Sequence, residues 1–317
     1  MEKIVILDGY VANDGDLTWE PLESLGNLTV YEHTDPSEVV DRLRDATAAI
    51  VNKVVITDEI MVQLPALRYI GILATGYNNI DTAAARRRGI AVANVPAYST
   101  ESVAQTVFAH LLNIVNRVAD HSRSVKRGDW QYCRDFSYRL CQFDELCGST
   151  MAVYGLGNIG RRVAEIAHAF GMKVIALTSK PQEVLPDYIE KVDKENFFRR
   201  ADVMSLAAPL TPENRHFVNA ATLALMKPNA ILINTARGPL IDDAALAEAL
   251  DHGVIAAAGV DVLSQEPPVD GNPLIDNPHC EITPHIAWES TTARRRLLEV
   301  TFENLRSFLD GTPRNLV

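Results

Sequence analysis

Short apolar runs alternate with longer amphipathic stretches along the whole chain. The first half carries such runs at Ile4–Leu7, Leu28–Tyr31, Ala49–Ile56, Ile70–Ala74 and Ile90–Asn94. The second half carries them at Met151–Tyr154, Lys173–Leu177, Val203–Ala207, Ala230–Asn234, Ala257–Val262 and Glu281–Thr283. Runs this short and this apolar predict strands buried on both faces, hence parallel sheets covered by helices. Their regular alternation with helical patterns predicts an α/β fold.

Two longer helices stand out. One is predicted from the Ser99-Thr100 cap signal to about Lys126, with Val103, Val107, Phe108, Leu111, Leu112, Val115 and Val118 on one stripe. The other runs from about Ser290 to Leu309, with Leu297, Leu298, Phe302, Leu305 and Phe308 apolar, and Gly311 and Pro313 stopping it. The first helix sits between the two sets of strands and reads as a domain connector. The last follows the second set and can return to the first domain. That makes domain one discontinuous, residues 1–98 plus 289–317 around 99–288, with crossings near 98 and 288.

The 317 residues fit two domains at about 150 each. With 47% hydrophobic and 22% charged residues, Gly 17 and Pro 16, disorder and collagen-like chains are excluded. A net charge of −11 disfavours nucleic acid and anionic membranes as partners. No apolar run approaches the ~18 residues of a membrane span. The apolar core of the first residues is too short for a secretory signal. Cys133, Cys141, Cys147 and Cys280 form no CxxC pair, so free thiols in a reducing cytosol are expected, with no metal site.

One loop adds chemistry to this frame. Gly155, Gly157 and Gly160 form a G-x-G-x-x-G directly after a predicted strand and ahead of a predicted helix and second strand. Gly155 makes the tight turn, Gly157 admits a pyrophosphate to the backbone, and Gly160 lets helix and strand pack closely. Leu156, Asn158 and Ile159 complete the loop, and the helix N-terminus offers amides to phosphates. A ribose-binding acid should end the next strand. Thr178, Ser179 and Lys180 stand there instead. Two hydroxyls and a lysine can receive a 2′-phosphate, which favours NADPH over NADH; the alternative is a solvated lysine with the ribose held otherwise.

Ligands of open parallel sheets sit beyond the carboxyl ends of the strands. Three successive strands of the second half end in Arg237, Glu266 and His285. Taken singly, an Arg before Gly is usually a capping residue, a Glu before Pro a loop acid, and a lone His structural. Together, beside a dinucleotide loop, they fit reduction of a 2-keto acid. Arg237 can grip carboxylate and carbonyl with its planar fork. His285 can give the proton near neutral pH. Glu266 can hold the second ring nitrogen and keep the ring protonated.

Four segments resemble the D-isomer-specific 2-hydroxyacid dehydrogenase family: Gly155–Gly160, Ile233–Gly238, Gly259–Pro267 and Thr283–Trp288. The resemblance spans essentially the whole chain. It implies two Rossmann-like doubly wound domains, an outer substrate-binding one built from both termini and a dinucleotide-binding one, and usually a homodimer formed through the cofactor domains. It implies that Arg237, Glu266 and His285 are the catalytic Arg, Glu and His. Thr106, Thr235, Ala236, Asp261 and Ala287 then look like cofactor-contacting positions, alongside Arg237 and His285. Leu73–Asp81, Asn94–Thr100, Ser102–Gln105 and His285–Trp288 resemble the glycerate dehydrogenase (hydroxypyruvate reductase) branch. Thr75 and Gly76 would there meet the substrate carboxylate. Lys53 is a further substrate-side candidate, and Trp288 either borders the substrate or fills the hinge.

Two departures qualify the resemblance. Thr178–Lys180 replaces the family's commoner acidic strand end, and the stretch from Tyr132 to Cys147 is short and atypical. Glu266 stands where the formate branch carries Gln, which argues against formate oxidation. The expected enzyme is a cytosolic NAD(P)H-dependent reductase of a small 2-keto acid, hydroxypyruvate or glyoxylate first. Lactate or a bulkier acid is the alternative substrate, and a dinucleotide-sensing binding protein the alternative class.

Overall fold

The computed structural model describes residues 2–142 and 144–317. Met1, and Phe143 within the atypical Tyr132–Cys147 stretch, lie outside the described residues. The chain divides into two compact units, Met1–Ser99 with Trp288–Val317, and Thr100–Ala287.

The first unit is built on five parallel strands: β1 (Glu2–Ile6), β2 (Gly26–Val30), β3 (Ala48–Val51), β4 (Tyr69–Ile72) and β5 (Ala91–Ala93), in the order β2-β1-β3-β4-β5. Successive residues of a strand face opposite sides. Val5 and Leu7 accordingly join one core with Leu43, Ile70 and Ala84. Ile4 and Ile6 join another with Ala293, Leu297 and Leu305 of the Thr291–Leu309 helix. The returning C-terminal helix thus covers one face of the sheet, its buried leucines each contributing on the order of 2 kcal/mol. Ser290 caps it, accepting from the Ala293 N–H at 3.3 Å, and Gly311 at φ +77° ends it.

The second unit holds seven parallel strands: β6 (Thr150–Tyr154), β7 (Lys173–Leu177), β8 (Ile189–Lys191), β9 (Val203–Leu206), β10 (Ile231–Asn234), β11 (Ala257–Val260) and β12 (Cys280–Ile282). Their order is β12-β11-β10-β9-β6-β7-β8. The winding reverses between β6 and β9, the switch point where doubly wound sheets bind ligands. Met151 and Val153 face one core with Ala104, Val107, Phe108 and Leu111 of the Thr100–Asn116 helix. Ala152 faces the other, with Phe197, Phe198 and Leu232. Both faces are covered, as the apolar strands required. Among the described residues no helix is long and apolar enough to cross a membrane.

Three local expectations need correction. The helix predicted to run to Lys126 is two, Thr100–Asn116 and Val118–Lys126, divided at Arg117 in the left-handed region (φ +45°). Burial of the stripe stops first: Val115 is partly buried, whereas Val118 is 66% exposed. The Ala49–Ile56 run is strand only to Val51, and Ile56 forms an isolated bridge to Ile80. The edge strand β8 was not expected. Of its three residues only Ile189 is buried, so it has no apolar run to announce it.

Candidate active site

Gly155 lies at the switch point with φ +88°. A Cβ there would stand 2.9 Å from the Ala208 backbone, where the chain leaves β9. A Cβ on Gly160 would stand 2.0 Å from the Gly155 carbonyl oxygen, so no other residue lets the Asn158–Ala169 helix start so close to β6. Gly157, the N-cap, is different: a Cβ there meets nothing within 4 Å. Space in front of unpaired first-turn amides is what a pyrophosphate needs. The loop therefore fits a dinucleotide.

Beyond β7, the Thr178 hydroxyl accepts from the Lys180 N–H at 3.2 Å. The Lys180 ammonium donates to the Leu156 carbonyl at 2.8 Å, which seats its charge on the glycine loop.

Arg237, Glu266 and His285 follow β10, β11 and β12. Asn234, at the end of β10, shapes the first turn. Its amide donates to the Arg237 carbonyl at 3.0 Å and its carbonyl accepts from the Ala236 N–H at 3.0 Å. The guanidinium donates to the Ala236 carbonyl at 2.6 Å, and Thr235 is buried. Gly238 explains the Arg-Gly pair: a Cβ on it would stand 1.9 Å from the Leu263 carbonyl oxygen. The loop after β11 can lie against the Arg237 turn only because residue 238 lacks a side chain. Asp243 fastens that loop, accepting from the Ser264 N–H at 3.2 Å and the Asn272 amide at 2.6 Å.

Glu266 and His285 are brought together. Glu266 Oε1 accepts from the Leu263 N–H at 3.0 Å, and Oε2 lies 2.6 Å from His285 Nδ1. Both side chains are about one-third exposed or less. His285 itself has φ +57°, unusual for a residue with a Cβ. Two nearby positions read as cofactor contacts are engaged in this turn. Asp261 is 1% exposed and accepts from the Thr283 hydroxyl and the Ile286 and Ala287 amides. The Ala287 carbonyl accepts from the Ser102 hydroxyl at 2.6 Å. The Thr106 hydroxyl donates to Ser102 O of its own helix at 3.1 Å.

The substrate-side candidates belong to the first unit. Lys53 follows β3, and the Asp8 carboxylate accepts the Asn52, Lys53 and Val54 N–H groups at 2.7, 2.5 and 3.0 Å. Thr75 follows β4. Its hydroxyl donates to the Val95 carbonyl at 2.8 Å and its own carbonyl accepts from the Asn94 amide at 2.7 Å, which shapes the backbone ahead of Gly76. Trp288 packs edge-on against buried Tyr98, centroids 6.1 Å apart, so its ring is at least a packing element. Asp8 and Asp243 escaped the sequence reading, and Asn234 and Thr283 entered it only as members of the segments that carry the resemblance, with no role of their own. Each is a buried or half-buried polar group that holds a strand-end loop, and only the three-dimensional partner reveals that role.

Residues 108–287 match the family described as D-isomer specific 2-hydroxyacid dehydrogenase, NAD binding domain. A hydroxypyruvate reductase of Blautia hydrogenotrophica is 41% identical over 319 residues, spanning 99% of each chain. A glycerate dehydrogenase of Methylorubrum extorquens is 40% identical over 319 residues, spanning 100% of this chain and 99% of its own. Among solved structures, an NADPH-dependent glyoxylate/hydroxypyruvate reductase of Sinorhizobium meliloti, in complex with NADP and malonate, superposes with a TM-score of 0.84 at 29% identity, covering 100% of this chain and 96% of its own. On this similarity the chain belongs to the D-isomer specific 2-hydroxyacid dehydrogenase family, in the branch of the hydroxypyruvate reductases and glycerate dehydrogenases.

Proposed function

We propose that the chain reduces a small 2-keto acid, hydroxypyruvate or glyoxylate, to the D-2-hydroxy acid. The observation that carries the reading is the Glu266–His285 pair at 2.6 Å, on the sheet that also presents the glycine loop. A reduced nicotinamide dinucleotide, when bound, supplies the hydride. Arg237 grips the substrate carboxylate and polarises the carbonyl. With Nδ1 turned to Glu266, Nε2 is the ring nitrogen left to face the substrate, and from the protonated ring it delivers its proton to the carbonyl oxygen as that oxygen becomes an alkoxide. Glu266 fixes the ring plane. We assign Thr106, Thr235, Ala236, Asp261 and Ala287 to cofactor binding, and Lys53, Thr75, Gly76 and Trp288 to substrate binding. The units Met1–Ser99 with Trp288–Val317 and Thr100–Ala287 take the substrate-binding and dinucleotide-binding roles.

The preferred dinucleotide is NADPH. Supporting this, Lys180 is held on the glycine loop and no carboxylate ends β7 to repel a 2′-phosphate. A hydrogen bond to a charged group contributes about 1.5–3 kcal/mol, or roughly 10–100-fold. Oxidation of NADPH and NADH is measured with hydroxypyruvate, glyoxylate and pyruvate. The expected result is turnover of the first two, with kcat/KM higher for NADPH. Lys180→Ala should lower the NADPH value roughly 10–100-fold and leave NADH within about twofold. Tight dinucleotide binding without turnover of any acid would favour a binding protein instead. A wild-type preference for NADH would remove the role given to Lys180.

The working form is a homodimer. The second unit exposes Val118, Trp130, Tyr132, Phe136 and Leu140 close together in sequence, Phe136 being 92% exposed. Exposed apolar side chains at this density along one stretch support an interaction surface there. Light scattering should give twice the 34.9 kDa of one chain. Replacing Phe136 and Leu140 together by Asp should give the single-chain mass; a monomeric wild type, or an unaltered dimer in the variant, overturns the assignment. The setting proposed for the enzyme is cytoplasmic, in keeping with four cysteines, Cys133, Cys141, Cys147 and Cys280, that form no CxxC pair.

A further inference from the structure

His110 lies on the Thr100–Asn116 helix, is 6% exposed, and has no part in the chemistry described above. Its Nε2 is 3.0 Å from the Thr283 hydroxyl oxygen. That hydroxyl donates to Asp261 Oδ1 at 2.6 Å. Having given its only proton to a carboxylate, the hydroxyl can offer His110 nothing but lone pairs. His110 Nε2 must therefore carry a proton and donate. Burial holds the ring below the ordinary imidazole range against the opposing charges of Asp261 and Glu281, so the donor is a neutral ring with one defined tautomer. The chain of donors has one direction: His110 to Thr283, Thr283 to Asp261. Asp261 also accepts the Ile286 and Ala287 amides, each at 2.9 Å.

A second observation makes this a built arrangement. Gly259 lies inside β11, where a strand would ordinarily carry a side chain. A Cβ there would stand 2.8 Å from His110 Cβ and 3.0 Å from its Cγ. Gly259 is small because the imidazole lies against the strand. Ser102, a little over two turns earlier on the same helix, donates to the Ala287 carbonyl at 2.6 Å. One helix therefore ties down both ends of the 283–287 turn, and His285, at φ +57°, is its middle. A left-handed backbone at a residue with a Cβ costs roughly 1–2 kcal/mol and persists only when its surroundings impose it.

We propose that His110 is a positioning residue: through Thr283 and Asp261 it holds the 283–287 turn so that His285 keeps its backbone conformation and its contact with Glu266. The proposal rests on the reading of His285 as the proton donor. It requires a neutral N–H donor at position 110, not a charge. Gln supplies such a donor at similar reach; Leu does not.

The test compares His110→Leu, His110→Gln and Thr283→Val by steady-state kinetics, thermal melting and nitrogen-detected NMR of the imidazoles. Misplacement of a reacting group by about 1 Å can cost 10²-fold. The expected loss in kcat is thus roughly 10–100-fold for His110→Leu. His110→Gln should restore kcat to within about threefold. Thr283→Val should match His110→Leu, and the double variant should be no worse than either. In the wild type the NMR spectrum should show His110 protonated at Nε2 alone, and His110→Leu should move the His285 Nδ1 resonance. Wild-type kcat and an unmoved His285 resonance in His110→Leu would overturn the proposal. Equal losses in Leu and Gln that follow the melting temperature would overturn it too. If the wild type reduces no keto acid, the functional reading fails, and the imidazole spectra still decide whether His110 holds the turn.

Discussion

Replacing His285 by Gln is expected to lower kcat for keto-acid reduction about 10³-fold, while dinucleotide affinity stays within about threefold of wild type. A positioned general acid contributes about 10²–10⁴-fold, and the substitution separates its two abilities. Gln can still donate a hydrogen bond to the carbonyl oxygen, but it cannot surrender a proton to the forming alkoxide. The geometry makes His285 a strong candidate for that transfer. Its Nδ1 is engaged by Glu266 Oε2 at 2.6 Å, which leaves Nε2 to address the substrate. Glu266 Oε1 in turn accepts from the Leu263 N–H at 3.0 Å, so the carboxylate that meets the ring is tied to the loop backbone. Glu266→Gln should keep the hydrogen bond and lose the charge, with a smaller loss of roughly 10–100-fold, since a hydrogen bond to a charged group is worth about 1.5–3 kcal/mol. Stopped-flow fluorescence gives the dinucleotide affinity and absorbance of the reduced nicotinamide gives kcat. A His285→Gln enzyme that keeps a tenth of wild-type kcat would require another proton donor.

The sequence made some of this legible and hid the rest, for physical reasons. Strands buried on both faces leave a strong apolar signature, and β1, β6, β7 and β10 lie within one or two residues of their expected bounds. The places following β10, β11 and β12 could be read because ligand-facing residues of parallel sheets gather at strand ends. The Gly155 and Gly160 contacts were legible because steric demands on glycine are local to one strand–helix turn. What failed was non-local or weakly coded. β8 is three residues of edge strand with one buried side chain. The left-handed Arg117 has neither Gly nor Pro to mark it. His110 looked like one more residue of a buried helix. Its partner Thr283 is 173 positions away, and no periodicity connects the two. The sequence places Asp261 among the cofactor-side candidates, and only the fold discloses that both its oxygens hold the His285 turn.

The second large effect is expected at Arg237. Arg237→Lys should lower kcat/KM about 10³-fold, with both a higher KM and a lower kcat. The charge is kept, so the loss isolates geometry. A guanidinium offers two parallel N–H donors to a carboxylate, whereas an ammonium is a compact point charge on a flexible stem. Its base is held firmly. The Arg237 carbonyl accepts from Asn234 at 3.0 Å, and Gly238 lies against the Leu263 backbone. Lysine has no fork for that frame to aim. The sharper readout is discrimination. A site built around a charged donor rejects an analogue that cannot fill it, because the donor is left desolvated and unpaired. Wild type should therefore prefer a 2-keto acid over its methyl ester by about 10⁴-fold, and Arg237→Met should erase most of that preference by losing the acid rather than gaining the ester. Side-by-side kcat/KM values for acid and ester in the three proteins decide the matter. If Arg237→Met still favours the acid by the wild-type margin, the carboxylate is gripped elsewhere, and the amides around Thr75 and Gly76 become the anchor to test.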